Sequence, residues 1–89
     1  MDAKHIKLSS QVLMQKVADE AVLLDLDSQC YFGLDEIGTL IWEGLGKSKT
    51  EDEIVGEIVE EFDVSEEVAA RDVREFLRKL EQDKLITLE

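Results

Sequence analysis

The feature that most constrains this chain is a change of hydrophobic period at Leu34–Asp35. Before it, apolar residues alternate or gather in short runs. After it, they recur at helical spacing. Three runs precede the change: Val12-Leu13-Met14 leading to Val17, then Ala21 to Leu26, then Cys30 to Leu34. Ala18-Asp19-Glu20 and Asp27-Ser28-Gln29 separate them, and Asp and Ser favour turns because their side chains bond nearby backbone. Runs of five to six residues joined by such short connections predict an antiparallel three-stranded meander. Within the third run, the two-residue period puts Cys30, Phe32 and Leu34 on one face and Tyr31 and Gly33 on the other. Free cysteine is usually buried, so Cys30 is assigned to the core beside Phe32 and Leu34.

Past the change, Asp35 is the expected N-cap of a helix carrying Ile37, Leu40, Ile41 and Leu45 on one stripe, with Gly44 and Gly46 as its terminators. Thr50-Glu51-Asp52-Glu53 reads as a capping box opening a second helix with Ile54, Val55, Ile58, Val59 and Phe62 inward. Ser65 caps a third helix whose stripe is Ala69, Val73, Phe76, Leu77 and Leu80, running to about Asp83, before a weakly alternating tail from Leu85 to Leu88. The order β-β-β-α-α-α predicts an α+β fold, a three-stranded antiparallel sheet packed on a three-helix bundle. One domain over residues 1–89 is expected, with the sheet at about 8–34 and the helices at about 36–83.

Charge removes several functions. Among 89 residues, 22 acids face 10 bases, a net charge of −12. Nucleic-acid binders need a basic face to displace counterions from phosphate, and anionic membrane surfaces repel such a chain. No apolar run approaches the roughly 20 residues of a membrane span. The amino terminus lacks a signal-peptide layout, and the single cysteine cannot form an internal disulfide; both point to the cytosol.

No catalytic constellation is present. His5 is the only histidine and has no cysteine or histidine at metal-ligand spacing. Gly44-Leu45-Gly46-Lys47 follows a helix, so it is no phosphate loop. The nine carboxylates between Glu51 and Glu67 fall mostly between apolar positions, as a solvated helix face does, and lack calcium-loop spacing. Neither an enzyme nor a metal or cofactor site is expected. What remains is the sheet edge: unpaired N–H and C=O groups along Gln29 to Leu34 are a template for an added peptide strand, and Gly33 lets another backbone approach.

The ordered set Leu24, Tyr31, Phe32, Leu34, Gly38, Ile41 and Trp42, continued by Thr50, Ile54, Val55, Ile58, Phe62-Asp63-Val64, Asp72-Val73, Phe76-Leu77 and Leu80, resembles the PqqD-like proteins, also called RiPP recognition elements. The resemblance spans about residues 8–88. It departs from the family at Ala18-Asp19-Glu20, where a glycine-containing turn is typical, and at Lys84, which replaces a late glycine and leaves the end of the last helix open. It implies a winged-helix-like domain that binds the leader of a ribosomally made precursor peptide. The leader would add antiparallel to the third strand, beside the third helix, and be delivered to a maturation enzyme. Mapped here, the strand is Gln29, Cys30, Tyr31, Phe32, Gly33 and Leu34. On the helix, one flank offers Ala70, Val73, Arg74 and Leu77, the other Val68, Asp72 and Glu75. The first is preferred, because small Ala70 admits a strand, Leu77 gives an apolar wall and Arg74 can meet a leader carboxylate. Lasso-peptide biosynthesis with a leader protease is the expected setting, a radical S-adenosylmethionine enzyme the alternative partner. A winged-helix nucleic-acid binder is the rival from another class. Against it, the third helix sets four bases against six acids. A structural subunit docking through the acidic second helix is a third reading.

Overall fold

The computed structural model describes residues Ile6 to Leu88; the amino-terminal reading, His5 included, lies outside that range. The elements run β1 (Ile6–Leu8), β2 (Val12–Val17), β3 (Glu20–Asp25), β4 (Cys30–Leu34), α1 (Glu36–Gly46), α2 (Glu51–Glu61), α3 (Glu66–Gln82) and β5 (Ile86–Leu88). The expected sheet is present as an antiparallel meander in the order β2-β3-β4, and the three helices follow it as an α+β arrangement. A second sheet was not foreseen: β1 pairs antiparallel with β5, Ile6 opposite Leu88. Three-residue strands are too short to show a period, and this pair joins the two ends of the described chain. The tail is also more than a weak alternation, because Leu85 and Ile86 are both in the core.

The inner face of the meander is set by alternation on β3, where Ala21, Leu23 and Asp25 are buried and Val22 points out. Ile41, Trp42 and Leu45 of α1 join Leu23 and Leu34 in one core with Ile54, Val55 and Ile58 of α2 and Ala69, Val73, Leu77 and Leu80 of α3. An ion pair from Lys16 to Glu43 at 3.0 Å ties the sheet to α1. Of the residues expected to face inward, Val59 is exposed.

Helix ends follow the expected caps at the start and depart from expectation at the finish. Asp35 accepts from the Gly38 N–H at 2.8 Å, and Thr50 with Glu53 completes the capping box. Of the two expected terminators, Gly46 is the last residue of α1 and Gly44 lies inside it. The helix runs through Gly44 to Gly46 and closes past it. There the Lys49 N–H donates to the Gly44 carbonyl and the Ser48 N–H to Leu45, with Ser48 left-handed at φ 61. Gly44 has another task, since a Cβ there would stand 2.9 Å from Ile54 Cγ1. It lets α2 press against α1. α3 ends the same way: Leu85 N–H bonds the Leu80 carbonyl, Lys84 N–H bonds Glu81, and Lys84 adopts φ 63. Lys84 thus takes a left-handed turn position that glycine fills more easily, at a cost of roughly 1 kcal/mol.

Candidate peptide-binding edge

β4 is positioned from both ends. At its start the Asp25 side chain, buried on the inner face, accepts from the Asp27 N–H at 3.1 Å and the Ser28 hydroxyl at 2.9 Å. The Gln29 N–H donates to the Asp25 carbonyl at 2.7 Å while Gln29 itself turns left-handed at φ 60. Gln29 thus belongs to the turn, and the strand begins at Cys30, one residue later than expected. At its finish, Leu34 is buried and Asp35 caps α1.

Between those anchors the register is Ala21 to Leu34, Leu23 to Phe32 and Asp25 to Cys30 on the inner face, with Val22 to Gly33 and Leu24 to Tyr31 on the outer. β4 is the last strand of its sheet, so its far edge carries no partner strand among the described residues. Cys30 is a correction. It is exposed rather than in the core, because cover on the inner face grows along the strand: Phe32 is half-buried and Leu34 buried. Cys30 is the first residue of the edge strand.

The helix side of the edge is fixed by one contact. A Cβ on Gly38 would meet Phe76 Cζ at 3.4 Å and Leu34 Cβ at 3.5 Å, so the Phe76 ring lies over the start of α1 beside the end of β4. The burial of α3 bears on the two flanks. Val73 is 0% and Leu77 6% exposed, so both are core and neither walls an open groove. Ala70 and Arg74 lie across the buried stripe from Phe76 by helical angle, whereas Val68 and Asp72 lie on the Phe76 side. Half-buried Phe32, buried Leu34 and half-buried Phe76 are thus the apolar side chains at this part of the edge, and Asp72 is on the Phe76 side of α3. Sequence reasoning placed Phe76 in the core stripe. Its position at the stripe's margin, next to Asp72 rather than beneath Val73, was the available signal.

At the Leu34 end of β4, Asp19, Glu20, Asp35 and Glu36 crowd around an open depression that Ile37 and Phe62 also line. The Glu36 carboxyl is held above its usual range, first by a hydrogen bond with Asp19, then by partial desolvation and the neighbouring negative charges. Among the described residues no group of three or more His, Cys, Asp or Glu side chains is arranged to hold a metal, and no helix is long and apolar enough to cross a membrane.

A free strand edge flanked by an apolar helix margin defines a peptide-binding module of winged-helix-like fold. The chain belongs to the PqqD family, described as coenzyme PQQ synthesis protein D, with residues 20–86 matched. Among solved structures it is similar to TbiB1 in complex with the TbiA(beta) leader peptide, with 42% identity, a TM-score of 0.84 and coverage of 93% of this chain and 94% of that one. It also shares the fold of a lasso peptide synthetase B1 complexed with the leader peptide, at 20% identity and a TM-score of 0.85 over 93% of this chain and 98% of the other. No curated protein sequence matches the chain.

Proposed function

We propose that this protein is a RiPP recognition element of a lasso-peptide system. It takes up the leader of a ribosomally made precursor as a fourth strand, antiparallel to β4, and presents it to a maturation enzyme in the cytosol. The observation that carries the reading is the unpartnered edge of Cys30–Leu34 beside Phe76, in a chain 42% identical to a protein solved with a leader peptide. Main-chain hydrogen bonds along β4 supply affinity, and the side chains of Phe32, Leu34 and Phe76 select what lies over the inner face. The backbone of Gln29 joins at the turn, and Cys30, Tyr31 and Gly33 complete the strand. In this reading the groove beside β4 is walled by Phe32, Leu34 and Phe76 with Asp72 on its rim, Ala70 and Arg74 stand outside it, and buried Val73 and Leu77 support it.

The module does no chemistry of its own. It raises the effective concentration of a disordered leader at its enzyme, and ordering that leader offsets part of the interface energy. A leader protease is the partner we put first, ahead of a radical S-adenosylmethionine enzyme. With 22 acids against 10 bases, the surface offers no footing for nucleic acid.

Titration of the isotope-labelled protein with the TbiA(beta) leader peptide tests this reading. Amide shifts concentrated at Cys30–Leu34 and around Phe76 are expected. No binding, or shifts confined to β2, would refute it.

A further inference from the structure

The sheet's outer face, turned away from the helices, is apolar and uncovered. Register aligns Leu13, Leu24 and Tyr31 in one row across all three strands, and Gln15, Val22 and Gly33 in the next. Tyr31 is 72% exposed, Leu13 56% and Val22 37%. Gly33 makes a gap in this surface. A Cβ built on it meets nothing within 4 Å, and its φ is not in the left-handed region, so neither crowding nor backbone geometry calls for glycine. Above it lies a shallow hollow lined by Val17, Glu20, Val22, Gly33 and Asp35.

In an antiparallel pair, directly opposed residues project from the same face. A strand added to β4 therefore places the residue opposite Phe32 over the helices, and those opposite Tyr31 and Gly33 on the outer face. Large side chains characteristically cover a strand glycine from the neighbouring strand, where they find area that no cognate side chain occupies. Resting on the leader-binding reading above, we infer that the Gly33 hollow is a second specificity site. It receives one large apolar side chain of the leader, which lies across Gly33 onto Val22 with the Tyr31 ring beside it. The occupant belongs to the peptide, because Gly33 stands on β4, the edge strand with which the peptide would pair. The outer face then reads alternate residues of the leader that the groove beside α3 never touches.

Gly33→Leu fills the hollow without straining the backbone, and circular dichroism should show the native fold. Binding of the TbiA(beta) leader peptide, followed by calorimetry, should weaken about tenfold, in line with the usual cost of overpacking. An alanine scan of that leader should find one outward-facing position whose truncation weakens binding to the wild type yet restores binding to Gly33→Leu. This reciprocal coupling is what a shared cavity produces. If Gly33→Leu binds every leader variant as the wild type does, or weakens all of them alike, the inference is wrong although the edge-strand reading stands. If the wild type shows no leader-induced shifts at Cys30–Leu34, the edge-strand reading fails and this site falls with it. Gly33→Ala, which adds a single methyl, should give the same pattern at smaller amplitude.

Discussion

Replacement of Leu77 separates the floor of the groove from its walls. Leu77 is 6% exposed and packs with Val73 and Leu80 in the common core. Truncation of such a leucine to alanine costs about 2–5 kcal/mol, the lost transfer energy plus the cavity left behind. A domain of 89 residues has about 4–13 kcal/mol to lose at typical stability per residue. Leu77→Ala should therefore remain folded but weakened. With a urea slope of about 1.5 kcal/mol per molar, a loss of about 3 kcal/mol lowers the midpoint by about 2 M. Leu77→Asp adds an unpaired carboxyl to the same site, a further cost of about 2 kcal/mol or more, and should leave the protein largely unfolded. Trp42, the sole tryptophan and itself buried, reports the transition by its fluorescence. Arg74→Ala, at an exposed position across the helix, should move the midpoint by less than about 0.5 kcal/mol in equivalent stability. A folded Leu77→Asp with a midpoint near wild type would refute the placement of Leu77 beneath the groove. It would reopen the flank of Ala70 and Arg74 as the groove wall.

Three further outcomes follow from local geometry. Gly44→Ala gains helix propensity of about 1 kcal/mol but drives a methyl to within 2.9 Å of buried Ile54 Cγ1, so a net loss of about 1–2 kcal/mol is expected by denaturant titration. Ala18→Gly and Lys84→Gly each release a left-handed residue, at φ 59 and φ 63, and should raise stability by about 1 kcal/mol apiece, read as higher melting temperatures. Glu36 has its carboxyl raised above 4.5 by Asp19 and its neighbours, so the folded state takes up that proton more readily than the unfolded one. Its contribution is thus most favourable below the ordinary carboxylate range and is lost as pH rises through the raised value. Glu36→Gln should melt above wild type at pH 7, with the difference shrinking toward about pH 4.

The meander and the three helices were legible because each obeys a local rule. Three short apolar runs between turn-forming residues marked the strands, and Asp35, Thr50 and Ser65 announced the helix starts through side chains that cap them. What escaped has non-local causes. β1 and β5 are too short to carry a period and exist because Ile86 is pulled into the core. Lys84 and Ser48 hold left-handed turns that sequence assigns to glycine, so the bonds to Leu80 and Gly44 override local preference. Cys30 carries the right period for burial, yet it opens the edge strand and stays exposed while Phe32 and Leu34 further along are progressively covered. At the binding edge, Cys30 to Leu34 could be picked out as a strand bordering the helices. The flank of α3 could not, because Phe76 and Leu77 share one apolar stripe, and the approach of Phe76 to Gly38 is a tertiary contact that no local pattern announces.

The central claim is that β4 is the edge where the leader pairs. Hydrogen exchange of the backbone amides, with and without the TbiA(beta) leader peptide, tests it most directly. Pairing predicts that the amides of Cys30–Leu34 facing the free edge slow markedly on binding, while those of β2, at the opposite edge, keep their rates. Protection appearing on β2 instead, or leader binding that leaves the β4 amides unprotected, would contradict the account.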